Sequence, residues 1–363
     1  MTMPTAEGCR GRVAEFVNRL RPAAPILLCD PLHLCYFANA YWDPFSLGAG
    51  FGGYLLIEPD GRTKLVYDSR APKSVEAAFA DEKVVAKWYD GRTPGHGPRG
   101  LMLRESLAAL GTGGRIHDSI LDPGAAALLG IVAEMRRCKG ADELALLRRC
   151  MQVTEAGQAW ARTNVQPGMT EIDVYSGILA ECTKAAGHPV VVYGDFAVSP
   201  GSAKRGGMAT DRVIRAGETL ILDFSVVIQG YRSDFTNTLV VGAEPTADQR
   251  RLFDLCIEAM TAGEAELKAG AVCQTVYDAV RRVFERVGVA DSFPHHAGHG
   301  LGLSHPEAPF FVRHSEGTLV EGDVVTLEPG LYIDGIGGVR IEHNYAITPT
   351  GYERLSNHEI APK

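Results

Sequence analysis

The run ETLILDFSVVIQGYRSDFTNTLVVG, residues 218–242, limits the possible folds more than any other stretch of the chain. It is apolar and rich in β-branched residues on both sides of Gln229-Gly230, which predicts two strands joined by a two-residue hairpin loop. In that register Ile228 faces Tyr231 and Asp223 faces Thr236. Strand residues two apart share a face, so Asp234 falls on the same side as Asp223, as its diagonal neighbour about 7 Å away at the backbone. Two carboxylates on one apolar face repel and desolvate badly unless something positive compensates them. Either lysine or arginine partners, or one metal bridging both acids, would do this. Arg232 has the parity of Asp234 and can serve only one of them.

Two more acids have the same character. DVVTLEPGLYI ends an apolar strand with Glu328 against a Pro-Gly turn, and GGVRIEHNYAIT sets Glu342 inside another strand. The histidine-rich stretch HHAGHGLGLSHPEAP, residues 295–309, carries glycines at 298, 300 and 302 that argue against a helix. H-E-x-x-H is absent, so His295 and His299 do not form the helical zinc pair. Glycine-flanked His299 is expected on a strand, with room for a bulky centre to approach. One imidazole and four carboxylates carry four formal negative charges, which two divalent cations cancel. Such oxygen-rich ligation suits Mn, Co, Fe or Zn better than a thiolate-type zinc site. Two bridged ions about 3.5 to 4 Å apart can generate a hydroxide nucleophile and polarise a carbonyl. The reaction class is metal-assisted hydrolysis.

At 363 residues the chain exceeds one ordinary core, and two domains are expected. A net charge of −8 gives no electrostatic reason to expect nucleic acid or an anionic membrane surface. The eight cysteines form no C-x-x-C pair, which favours reduced thiols over disulfides. The N-terminal segment has no apolar core run, and no stretch approaches the roughly 18 apolar residues of a spanning helix. A cytoplasmic protein is the expectation.

Residues 52–68 predict a hairpin around Pro-Asp-Gly, and the Gly/Pro punctuation of residues 78–102 suggests loops between elements. From 134 the texture turns helical, with Leu144, Leu147, Met151 and Ala156 near one face. Thr170 and Gly187 read as the caps of a second helix, and Thr246 with Gln249 as the capping box of a third. Helix pairs followed by strands, twice over, indicate an α+β domain with a weak internal repeat.

The five candidate ligands, and the words around them (LILDF, GYRSDFT, GHGLGL, TLEPGLYI, GVRIEHN), resemble the pita-bread metallopeptidases. That family comprises methionine aminopeptidase, Xaa-Pro aminopeptidase and prolidase, with metal-free creatinase. CKGADELALLRRCMQVTEAG and DPLHLCYFANAYWDPF are similar to the linker helix and N-terminal domain of the Xaa-Pro branch. The resemblance implies an α+β chain with a small creatinase-like α/β domain over 1–133. A pita-bread catalytic domain with a pseudo-twofold repeat would follow over 134–363, commonly as a homodimer. It implies that Asp223 chelates one ion, that Asp234 and Glu342 bridge both, and that His299 and Glu328 complete the other. Glu328 is then also a proton shuttle, and His295 matches a substrate-pocket histidine. Tyr332 and Arg340 match positions that line or brace the site, although ordinary strand packing explains them equally well.

This sequence departs from the family pattern in three places. The family's second catalytic histidine, seven residues past the metal ligand, falls here on Pro306, while Glu307 keeps the following glutamate. His305 stands one residue early; on a strand that reverses its face, and a bend at Pro306 would restore it. Within AVSPGSAKRGGMATDRV the usual upstream histidine is missing; Lys204 and Arg205 stand there, either to bind a substrate carboxylate or as a solvated basic loop. Asn237 replaces an arginine common among relatives. The expected activity is hydrolysis of a C–N bond in a small peptide or amide, of Xaa-Pro aminopeptidase or dipeptidase type. Alternatives are a non-peptidase hydrolase or lyase of the same family, and a binding protein that keeps the fold.

Overall fold

A computed structural model describes residues 4–363 except 47–51, 90, 93, 95, 96, 99, 100, 112 and 113. The chain divides into two compact units, residues 1–136 with 140–143, and residues 137–139 with 144–363. The first unit contains α1 (Ala6–Leu20), β1 (Ile26–Leu28), α2 (Pro31–Ala38), β2 (Tyr54–Ile57), β3 (Thr63–Asp68), α3 (Lys73–Glu76), β4 (Glu82–Ala86) and α4 (Met102–Ala108). Its sheet runs β1-β2-β3-β4, with the expected hairpin pairing Ile57 to Thr63 and a parallel β3–β4 pair. The punctuated stretch 78–102 thus holds a strand, β4, and part of its remainder lies outside the described residues. α1 and α2 bury Phe16, Leu34 and Phe37.

The helical texture from 134 resolves into two helices, not one. α5 (Ala125–Arg137) stops before Lys139-Gly140, and α6 (Ala141–Asn164) restarts beyond it. The buried face of α6 runs through Leu147, Cys150, Met151, Thr154, Gly157, Gln158 and Ala161, at the i, i+3, i+4 spacing of a core-facing helix. Leu144 and Ala156 sit at its margin, half buried.

In the second unit α7 (Glu171–Ala186) carries a Thr170–Asp173 capping box and a left-handed Gly187 C-cap. Next come β5 (Val191–Val198), β6 (Thr219–Ile228), β7 (Tyr231–Arg232) and β8 (Phe235–Val240). β6 pairs with β5, β7 and β8, all antiparallel. A second helix pair, α8 (Ala247–Glu264) and α9 (Cys273–Arg286), precedes a second group of strands. These are β9 (Gly298–Gly300), β10 (Glu307–Phe311), β11 (Val324–Leu327), β12 (Gly330–Ile333), β13 (Gly337–Arg340), β14 (His343–Ile347) and β15 (Tyr352–Arg354). Two helices and then antiparallel strands therefore occur twice. α8 and α9 cover the strands with a core that includes Phe253, Val280, Phe284, Leu327, Val339 and Tyr345. All eight cysteines carry free thiols. Among the described residues no helix is long and apolar enough to cross a membrane.

Candidate metal centre

The hairpin forms in the expected register, with Ile228 opposite Tyr231 and Asp223 opposite Thr236. Asp223, Asp234 and Glu342 can each bring a carboxylate oxygen within 4.8 Å of the others. Glu342 lies at the break between β13 and β14, not inside a strand. Its N–H donates to the Thr236 carbonyl (3.0 Å), and its Oε2 accepts from the Thr236 hydroxyl (2.7 Å). Its other oxygen, Oε1, is buried without a hydrogen-bond partner among the described residues. Arg232 does not pair with Asp234; its guanidinium goes to the Tyr193 hydroxyl and the Leu303 carbonyl.

His299 sits on β9, inserted between β10 and β11. The glycines beside it serve the backbone and do not make room for a metal. A Cβ at 298 would lie 2.1 Å from the Thr326 carbonyl oxygen, and one at 300 would lie 2.1 Å from that of Ala308. His299 Nδ1 is 2.9 Å from the Gly300 carbonyl. Donation there leaves the Nε2 lone pair facing Glu328 (3.4 Å) and Asp234 (3.5 Å), the orientation a ligating imidazole needs. Glu328 follows β11, and its N–H donates to Ala297 O at 2.8 Å. A second cluster with ligand atoms within 4.8 Å joins His296, His299 and Glu328. The sequence reading missed His296, whose Nε2 is 2.9 Å from Glu328 Oε1.

A third cluster joins Asp234, His299 and His305. Of the two alternatives for His305, the bend at Pro306 is the one found, since residues 302–306 are a series of bends and strand alternation does not apply. His305 Nε2 lies 2.7 Å from Asp234, and its Nδ1 is 3.0 Å from the Tyr193 hydroxyl. Glu307 points elsewhere. It pairs with Lys139 at 2.7 Å, a lysine whose side chain is 1% exposed, and accepts from Ser304 N–H at 3.3 Å. The pair holds the loop that carries His305.

Tyr332 and Arg340 brace the centre. The Tyr332 hydroxyl is 3.0 Å from His295 Nε2 and accepts from Arg340 Nη1 at 2.8 Å. Arg340 Nη2 reaches Asp223 at 2.6 Å and Asp195 at 2.5 Å. Lys204 Nζ is 3.5 Å from the buried carboxylate of Glu171, and Arg205 offers its carbonyl to Arg340 Nη1 at 3.1 Å. Asn237 turns to the backbone of Ala361, donating to its carbonyl and accepting from its N–H.

Protonation differs sharply across the site. Burial, then the charges of Asp234, Asp195 and Glu328, push Asp223 up to about 7 against the opposing charge of Arg340. Burial and the charges of Asp234, Asp223 and Glu328 raise Glu342 well above the carboxylate range. Burial also works to raise Glu328, but the His296 hydrogen bond and the charges of His296, His299 and His295 hold it well below its usual value. Burial lowers His295 to about 4, so it is neutral at physiological pH. For His305 burial opposes charge, yet the Asp234 hydrogen bond and the surrounding acids win and raise it.

Residues 145–349 match the profile of metallopeptidase family M24. The chain belongs to metallopeptidase family M24. An uncharacterized peptidase of Staphylococcus aureus (strain USA300) is 30% identical over 234 residues, covering 63% of this chain and 65% of that relative. The matched part thus spans just under two thirds of the relative's length. The Xaa-Pro dipeptidase of Pyrococcus furiosus is 29% identical over 234 residues, 63% of this chain and 66% of its own. Among solved structures, the Bacillus anthracis Xaa-Pro dipeptidase superposes with a TM-score of 0.76 at 26% identity, covering 98% of this chain and 99% of that one. The prolidase of Pyrococcus horikoshii OT3 gives the same TM-score at 23% identity, again covering 98% and 99%, and shows the fold alone. The M24 chain therefore has the pita-bread architecture preceded by an N-terminal domain.

The donor set fits divalent cations. A buried carboxylate oxygen without a partner among the described residues, acids raised by burial and by one another's charge, and an imidazole whose free nitrogen faces two carboxylates all describe an environment that positive charge would stabilise.

Proposed function

We propose that this M24 chain is a metal-dependent hydrolase of Xaa-Pro aminopeptidase or dipeptidase type, cleaving a peptide C–N bond with activated water. The observation that supports the reading is three overlapping clusters, Asp223–Asp234–Glu342, Asp234–His299–His305 and His296–His299–Glu328, linked through Asp234 and His299. In this reading Asp223, Asp234 and Glu342 hold one divalent ion, and Asp234, His299, Glu328 and Glu342 hold a second. Mn, Co, Zn or Fe suits such ligands. When bound, the ions supply Lewis acidity and lower the pKa of water. The protein's own residues do the rest. Glu328, kept ionised by its histidine neighbours, takes and returns the proton; His305, held by Tyr193, offers an N–H to the scissile carbonyl. His295 is neutral and held between the His296 carbonyl and the Tyr332 hydroxyl, which fixes the wall of the pocket it lines in this reading. The same reading takes the protein as a cytoplasmic homodimer.

The test is elemental analysis of protein purified without chelator, together with a panel of Xaa-Pro dipeptides and tripeptides assayed with Mn(II) or Co(II). About two ions per chain and turnover of Xaa-Pro substrates are expected. Bound metal without turnover of any of them would move the reading to a non-peptidase hydrolase.

A further inference from the structure

We propose that Asp195 is a specificity-determining residue of this centre and receives the protonated amino group of the substrate. The inference rests on the peptidase reading above. In the β5–β6 register Asp195 stands directly opposite Asp223, so the two side chains share the face that carries the centre. Asp195 Oδ2 and Asp223 Oδ2 lie on the same Arg340 nitrogen, at 2.5 and 2.6 Å. The acid and the base of the outer pair differ in exposure. The Arg340 side chain is 8% exposed, whereas that of Asp195 is 32% exposed. An arriving substrate therefore meets the negative member.

Charge balance explains the pairing of Asp195 with Arg340. Two divalent ions cancel the four ligand carboxylates, which leaves the Arg340 guanidinium in excess. Alone, it would give the rim a positive charge suited to an anionic substrate group. Asp195 cancels that charge, and no hydrogen bond to its second oxygen is found among the described residues. Residue 206 is glycine, and a Cβ there would fall 2.1 Å from Asp195 Oδ2, so the backbone packs against the oxygen that Arg340 holds. An ammonium group hydrogen-bonded to a carboxylate complements this arrangement.

The experiment is calorimetry on metal-loaded protein with ketomethylene isosteres of Ala-Pro, one with a free amine and one N-acetylated. Asp195→Asn and Asp195→Ser are expected to weaken the free-amine isostere roughly tenfold and to leave the acetylated one within about twofold. Equal weakening of both would reduce Asp195 to a positioner of Arg340 and overturn the proposal. Unchanged binding of both, or no binding of the free-amine isostere to wild-type protein, would overturn it too. Melting temperature and metal content verify that each variant is folded and loaded. Hydrolysis of the Xaa-Pro panel is read separately, so failure of the peptidase reading is distinguishable from failure at Asp195.

Discussion

On the side of Asp223 and Glu342 acids face acids, while on the side of His296, His299 and Glu328 imidazoles face a carboxylate. Depth is nearly the same, since Glu342 is 1% and Glu328 7% exposed. Yet Glu342 is driven towards its neutral form and Glu328 is held ionised. Burial works to raise both acids, and neighbour identity sets the difference between them. The acid side leaves Glu342 Oε1 unsatisfied and needs a cation to complete it, whereas the histidine side already satisfies its own charge.

The sharpest way to break this contrast is to neutralise one acid on each side. Glu342→Gln is expected to cut turnover roughly 10³-fold and to reduce bound metal, while the metal-free protein melts no lower than wild type because a repelled acid is gone. Glu328→Gln, by contrast, should destabilise the metal-free protein by about 1–3 kcal/mol, since His296 loses its charged acceptor. Equal melting shifts for the two variants would refute the contrast. His305→Ala should lower kcat about 10²-fold with metal content intact, as read by kinetics and elemental analysis.

pH should move the two sides in opposite directions. Asp223 binds its proton more tightly folded than unfolded, so its contribution to metal-free stability is present in acid and lost as pH rises through about 7. Glu328 is the reverse; its contribution is present above the ordinary carboxylate range and is lost as pH falls below it. Metal-free protein is thus expected to melt highest in mild acid, and adding Mn(II) to shift that optimum to neutral or higher pH. Thermal melts across about pH 4 to 9 check this. The smallest effect is expected at Tyr193→Phe, which removes one hydrogen bond from His305 and should cost about 1 kcal/mol in kcat/KM.

Much of the acid side was legible in the sequence because strand alternation is strict. The Gln229-Gly230 turn fixed which residues oppose which, and Asp223 and Asp234 followed. The histidine side was less so. His296 and His305 lie in irregular backbone, where spacing carries no facing information, and only Pro306 signalled the bends that return His305 to Asp234. Asp195 became visible only through the β5–β6 pairing, a contact between strands separated by a long loop. The helix break at Lys139-Gly140 escaped notice because apolar periodicity continues on both sides of it. Asn237, which stands where many relatives carry arginine, binds the backbone of Ala361.

The two glycines around His299 carry a final consequence. With Thr326 O on one flank and Ala308 O on the other, that imidazole is anchored by interleaved main chain and has no slack of its own. Heating cannot loosen it ahead of the surrounding β-structure, so catalytic inactivation and cooperative melting should coincide at one temperature.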